Sequence, residues 1–256
     1  MEGAEIGSLM LCICTAGVLL YSSASPIQSL ALSRETSAAL MGTAVALATY
    51  IIIRSPFGRR SGAHLNPAVT LSFLWLGRIR HWDAAGYITF QFIGGPAGVL
   101  VARELFGTWV SEKSVQYLVT VPGVYGEGIA FLAELILSAF FMGIVLFGAN
   151  HRPLARFSPL FVALLTVVYY AACPSISGFS VNPARSFASA LFASIWRGIW
   201  IYLSAPCLGM LMASRIYVAV MGRNRVYCAK VFHDLHSTCP FPCRFDRLVS
   251  RSPARF

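Results

Sequence analysis

The chain has 256 residues, 57% of them hydrophobic and only 12% charged. An ordinary water-soluble domain carries about twice that charged fraction, so the composition excludes the classes that depend on a large solvated surface. The net charge of +10 at pH 7 invites a nucleic-acid partner, but the basic residues are distributed as a membrane topology demands, and no nucleic acid is expected.

A helix crossing a ~30 Å hydrocarbon core needs about 20 residues. Apolar runs of about that length occur at 4–21, 37–53, 82–102, 127–148, 158–174 and 197–220. The first run could pass for a secretory signal. Its flank holds Glu2 and Glu5 and no basic residue, which argues for a retained span. Two further apolar runs, 66–77 and 182–193, are only about half as long and cannot span.

Each short run opens on the same tripeptide. Ser61-Gly62-Ala63-His64-Leu65-Asn66-Pro67-Ala68 is echoed 116 positions later by Ser177-Gly178-Phe179-Ser180-Val181-Asn182-Pro183-Ala184. Asn is a strong N-cap, and Pro suits the first helical position because its missing N–H is not needed there. The sequence therefore predicts two half-helices that begin inside the membrane, with positive ends and side-chain amides facing whatever passes between them.

The duplication goes further. Tyr87 and Gly94 have counterparts in Tyr202 and Gly209, and Glu5 near the start of the first span has one in Glu134 of the fourth. Three spans per half is an odd number, so the halves are inserted with opposite topology, an arrangement that puts functional elements at the midplane. The fold class expected is all-α, with six transmembrane helices and two re-entrant half-helices in an inverted repeat. The halves are about 1–105 and 127–221, and a tail follows from 222 to 256. Gly42, Gly94, Gly98, Gly143 and Gly209 are expected to permit close helix approach.

If six spans alternate, Arg54, Arg59, Arg60, Arg78, Arg80, Arg152, Arg156 and the basic tail fall on one side, against Arg34, Arg103, Lys113 and Arg197 on the other. The positive-inside rule then makes both termini cytoplasmic. Of seven cysteines, Cys228, Cys239 and Cys243 lie in that tail, where thiols stay reduced.

Two Asn-Pro-Ala loops between membrane runs, Arg185 directly after the second, and the paired Glu5 and Glu134 resemble the aquaporin (major intrinsic protein) family over residues 4–220. The resemblance implies a pore in which Asn66, Pro67, Ala68, Asn182, Pro183 and Ala184 meet at the centre. The side-chain oxygens of Asn66 and Asn182 cap the half-helices and their NH₂ groups face the lumen. It also implies a homotetramer in the plasma membrane, in contact with lipid and without a cofactor.

By the same resemblance Arg185 forms one wall of a narrow selectivity filter, and an Arg at membrane depth is functional by default. Spacing carries Phe179 and Tyr170 onto two further filter positions, with Tyr169 the alternative if the register differs, and Met41 onto a place usually held by an aromatic. Water-type members usually carry a His in the fifth span, absent here. Glycerol-type members have a small residue there and an Asp after the Arg, where this chain has Tyr170 and Ser186. Ser186, Ala190 and Tyr202 fit the water type, whereas Leu203 replaces an expected aromatic.

Glu5 and Glu134 are costly intramembrane carboxylates. They read as anchors of the re-entrant loops, supported by Gln91, or alternatively as a proton relay. His64 either orients its loop or gates by pH.

In the tail, Cys228, His233, His236, Cys239 and Cys243 could ligate zinc, though their spacing matches no common finger. A basic, membrane-facing segment outside the pore repeat is the plainer reading. The function expected is a passive channel for water, with other small neutral solutes, that excludes ions and protons. The alternatives are a glycerol or small-solute facilitator, an ion-coupled secondary transporter, and an occluded structural membrane protein.

Overall fold

The computed structural model describes residues 1–233 and 239–250, and the regular elements among them are all helical. The principal helices are α1 Glu2–Tyr21, α2 Arg34–Arg54, α3 Pro67–Trp75, α4 His81–Phe106, α5 Gly126–Asn150, α6 Ser158–Ala172, α7 Pro183–Ala193 and α8 Ile199–Met221. Short helical turns fill several connections, and Asp246–Ser250 forms a final short helix.

Five helices, α1, α2, α4, α5 and α8, are long and apolar enough to cross a membrane. α6 has 15 residues, or about 22 Å. It stops where Pro174 cannot continue the hydrogen-bond ladder, and the chain restarts as the one-turn helix Pro174–Ser177. The expected span over 158–174 is therefore a shorter helix with a broken end. α3 and α7, at 9 and 11 residues, reach about half a bilayer core.

The burial pattern is that of a protein solvated by lipid. Leu47, Ile51, Ile93, Ile136, Phe140, Leu164, Leu208 and Ile216 point outward, while Glu2, Glu5, Gln91, Glu134, Asn66, Asn182 and Arg185 are buried. Exposed Trp82, Trp109, Trp196 and Trp200 sit at or near the helix ends, where indole rings favour the interface.

Helices pair as the inverted repeat requires. α1 lies along α4, α5 along α8, and α2 along α6 across the join between halves. A Cβ on Gly94 or Gly98 would collide with the carbonyl oxygens of Gly3 and Gly7, and one on Gly209 with that of Leu135. These backbones touch because no side chain stands between them. Gly42 is similarly tight, its missing Cβ 2.8 Å from the Cβ of Tyr170. Gly143 differs from the expectation: nothing lies within 4 Å of its would-be Cβ, so no close helix approach depends on it.

The connection between α4 and α5 is tied down at the mouth opposite the tail. Glu112 accepts from Ser23 N (2.9 Å), Ser22 Oγ (3.1 Å) and Ser23 Oγ (3.1 Å). The backbone donor from Ser23 and the serine hydroxyls hold its carboxyl below the usual range. The described part of the tail beyond Met221 does not stand apart from the bundle. Val226, Cys228, Ala229, Val231 and Phe241 are buried in the same apolar cluster as the spans.

Candidate functional site

Each half-helix begins at a loop folded the same way twice. Gly62, Ala63 and Leu65 have φ of 94°, 54° and 53°, and Gly178, Phe179 and Val181 have 76°, 48° and 57°. Left-handed backbone at non-glycine residues costs roughly 1–2 kcal/mol each, so four such residues persist only because other contacts fix them. The buried carboxylates supply those contacts.

Glu134 is fully buried. It accepts from Ser177 Oγ (2.8 Å) and Ser180 N (2.9 Å) at one oxygen and from Val181 N (2.7 Å) at the other. In the first half the same three bonds are divided. Glu5 takes only the Ser61 hydroxyl (2.7 Å). Glu2 accepts the backbone N–H groups of His64 (2.9 Å) and Leu65 (2.8 Å). Glu5 is thus not the main anchor of its loop. Glu2 lies three residues earlier on the same helical face, and that spacing is the signal by which it could have been found. Gln91 reaches the loop indirectly, donating to Glu2 (2.7 Å) and to Thr70 Oγ1 (3.2 Å). Tyr87 and Tyr202 complete the symmetry by donating to the carbonyls of Ser61 (2.7 Å) and Ser177 (2.6 Å).

The two half-helices meet head to head. Asn66 Oδ1 accepts from Ala68 N (2.9 Å), and Asn182 Oδ1 from Ala184 N (3.1 Å) and Arg185 N (3.3 Å). Pro67 and Pro183 take the first helical positions, where no N–H is needed. Asn66 Nδ2 donates to the carbonyl of Val181 (2.8 Å), and Asn182 Nδ2 to that of Leu65 (2.9 Å). One amide proton of each Asn is therefore used across the join, which leaves the second as the donor available to the lumen.

A cavity of about 90 Å³ runs past this join, lined among others by Val231, His64, Asn66, Asn182, Phe179 and Arg185. That volume suffices for a short file of waters, each needing about 10–15 Å³ by this measure. A second cavity of about 310 Å³ opens toward the α4–α5 connection and includes Met41 and Gly178. Tyr170 and Arg185 line both, so they stand at the neck between them.

Phe179 meets the Tyr170 ring edge-on, with centroids 4.9 Å apart. Arg185 is 5% exposed, and its Nη1 has no hydrogen-bond partner. Tyr169 does not line the cavities; its ring packs edge-on behind Phe179, centroids 5.3 Å apart, and its hydroxyl donates to Leu137 O in α5 (2.9 Å). Met41 is buried on the wider cavity rather than at the neck. Beyond the sequence-derived residues, Val45, Thr49, Ile53, Phe141 and Thr166 also line the narrow cavity.

His64 is buried and engaged at both ring nitrogens, with Thr70 Oγ1 (3.0 Å) and Ala229 O (2.7 Å). Its ring stacks on Phe73 and Phe241. It joins the first loop to the tail. Of the tail motif, Cys228, His233, Cys239 and Cys243 cluster together. His236 lies outside the described residues.

The chain is 28% identical over 227 residues to Aquaporin Z of Photorhabdus laumondii, covering 83% of this chain and 93% of that one. It is 31% identical over 176 residues to Aquaporin NIP1-1 of Arabidopsis thaliana, covering 67% and 59%. The chain thus spans a little under three fifths of that plant relative. The solved aquaglyceroporin of Plasmodium falciparum superposes with a TM-score of 0.68 at 19% identity, over 88% of this chain and 96% of that one, a likeness of fold. The family model of the major intrinsic proteins matches residues 4–217. The chain belongs to the major intrinsic protein family, whose members are membrane channels and not enzymes.

Proposed function

We propose that this protein is a passive pore for water, open to other small neutral solutes according to size, that excludes ions and protons. The observation that supports it is the crossed donation of Asn66 Nδ2 to Val181 O and of Asn182 Nδ2 to Leu65 O at the head-to-head join of two half-helices, beside a cavity bounded by Arg185. A water at that join accepts from the remaining Asn protons and faces two positive helix ends, which disfavours cations and proton relay; the handling of protons and cations by aquaporin-type pores is itself the standard illustration of this physics.

Tyr170, Phe179 and Arg185 form the selective neck in this reading, with Met41 on its wide side. The edge-on Tyr170–Phe179 pair favours water over glycerol, since a glycerol hydroxyl left without a partner there costs about 1–3 kcal/mol. Glu134, Glu2 and Glu5 serve as loop anchors rather than proton carriers, because the first two spend their oxygens on backbone N–H groups. The excess of Arg on the tail side orients that side to the cytoplasm. We assign the protein to the plasma membrane as a homotetramer.

Stopped-flow shrinkage of proteoliposomes under sucrose and glycerol gradients tests the proposal. Fast, gradient-driven water efflux with slow glycerol entry is expected. Flux that depends on an ion gradient, or is no faster than that of bare lipid, overturns it.

A further inference from the structure

The cysteines and histidine of the tail are gathered in a way that neither the pore nor the repeat explains. The ligand atoms of Cys228, His233, Cys239 and Cys243 all lie within 4.8 Å of one another. Cys228 Sγ is 3.4 Å from Cys239 Sγ, and His233 Nε2 is 3.2 Å from Cys243 Sγ. A disulfide would need about 2.05 Å. A tetrahedral zinc, with Zn–S near 2.3 Å and Zn–N near 2.0–2.1 Å, spaces its donors by roughly 3.5–3.8 Å.

Supporting contacts are in place too. The His233 ring stacks flat on Phe245, centroids 4.2 Å apart, which fixes its plane. Phe245 N donates to Cys243 Sγ (3.4 Å), which fixes the position of that sulfur. Three thiols and one imidazole are a soft, closed set that suits structural zinc.

The same residues bracket the part of the tail that meets the pore. Between Cys228 and His233, the Ala229 carbonyl bonds His64 (2.7 Å), Val231 N donates to Gly62 O (3.0 Å), and Lys230 Nζ donates to Arg59 O. Val231 lines the narrow cavity beside Ile53, Ala63 and His64. Between Cys239 and Cys243, Phe241 stacks on His64, centroids 6.0 Å apart. The stretch from Val226 to Val231 lies outside any helix; it is held by these bonds, by burial against the spans and by Tyr227 N to Asn150 Oδ1, and a metal ion at its two ends would close the loop around those contacts.

We propose that Cys228, His233, Cys239 and Cys243 bind one zinc ion, and that the metal staples the tail across the tail-side mouth of the pore, where Val231 narrows the passage. The site stands on its own geometry, while its effect on conduction rests on the channel reading above.

The test uses the full chain, purified from zinc-supplemented cells on a tag free of His and Cys. One zinc per chain by elemental analysis is expected, with near-complete loss in the Cys239→Ser/Cys243→Ser double variant. Cobalt substitution of the wild type should give the thiolate charge-transfer and intense ligand-field absorption of a tetrahedral sulfur-rich site. Absence of metal from folded wild type, or a Cys228–Cys239 disulfide in its place, overturns the site whatever the protein conducts.

Wild type stripped with EDTA in detergent and reconstituted in phosphatidylcholine–phosphatidylglycerol vesicles should pass water severalfold faster, and zinc added before reconstitution should reverse this. Val231→Gly should match the stripped rate while keeping its zinc. Metal-loaded protein whose flux is unmoved by stripping overturns the staple. Flux no faster than bare lipid in both states overturns the channel reading, and the gating effect with it.

Discussion

Glu2 and Glu134 grip equivalent turns of two loops 116 residues apart. Glu2 accepts His64 N and Leu65 N, and Glu134 accepts Ser180 N and Val181 N. Glu134 also takes the serine hydroxyl that in the first half falls to Glu5. The two halves solve one problem, the fixing of a strained loop away from water, with one carboxylate in one case and two in the other.

This asymmetry makes Glu134 the more sensitive position. Glu134→Gln puts an NH₂ against a backbone N–H and should destabilise by about 2–3 kcal/mol. Glu5→Gln keeps an acceptor for Ser61 and should cost under about 1 kcal/mol. Thermal unfolding in detergent checks this. Equal shifts for the two variants would mean that the carboxylates act through charge rather than through these bonds.

Arg185→Val should leave folding largely intact, because the guanidinium Nη1 has no hydrogen-bond partner and its bond to the Tyr170 hydroxyl strands no backbone group when lost. Removal of the positive charge beside a water file should admit cations or protons. Proton and sodium leak in proteoliposomes of matched water flux provides the measurement, with increased leak expected.

Tyr170→Gly removes one of the two rings at the neck and should raise glycerol permeability more than water permeability, since water already passes. The ratio of the two fluxes is the readout. Tyr169→Phe should leave the ratio alone, because it keeps the ring that packs against Phe179 and loses only the hydroxyl bond to Leu137 O.

Gly98→Ala drives a methyl group into the Gly7 carbonyl and should cost about 1–3 kcal/mol as overpacking. Gly143→Ala meets nothing and should stay within about 0.5 kcal/mol of wild type. Thermal stability of both in detergent separates contact from mere helix propensity.

Much of this arrangement was legible in the sequence because its causes are local. Span lengths follow from apolar runs, and Asn66-Pro67 and Asn182-Pro183 mark helix starts by cap chemistry alone. Glu2 was missed because the eye pairs Glu5 with Glu134 by position, whereas the folded loop selects whichever carboxylate reaches two backbone N–H groups. Which of Tyr169 and Tyr170 faces the cavity depends on helix rotation, which neighbouring residues of one type cannot reveal. The tail was read as polar and separate because its composition is basic. Its burial comes from long-range contacts such as His64 with Ala229, Tyr227 N to Asn150 Oδ1 (2.8 Å) and Arg78 with Arg223 O, none of which leaves a periodic trace.

The crossed amide bonds of Asn66 and Asn182 also set the order in which the protein can be made. Their partners lie 115 and 117 residues apart along the chain. At about 5–20 residues per second of synthesis, Asn66 waits roughly 6–23 s before Val181 exists to receive its proton. Throughout that interval α3 has a cap but no counterpart, and a polar side chain without its partner is unfavourable in lipid. The first re-entrant segment must therefore remain near the interface or within the insertion machinery until the second arrives. Closure of the midplane is a late step of biogenesis, and a ribosome stalled before Val181 would leave a chain with α1, α2, α4, α5 and α6 made and no pore.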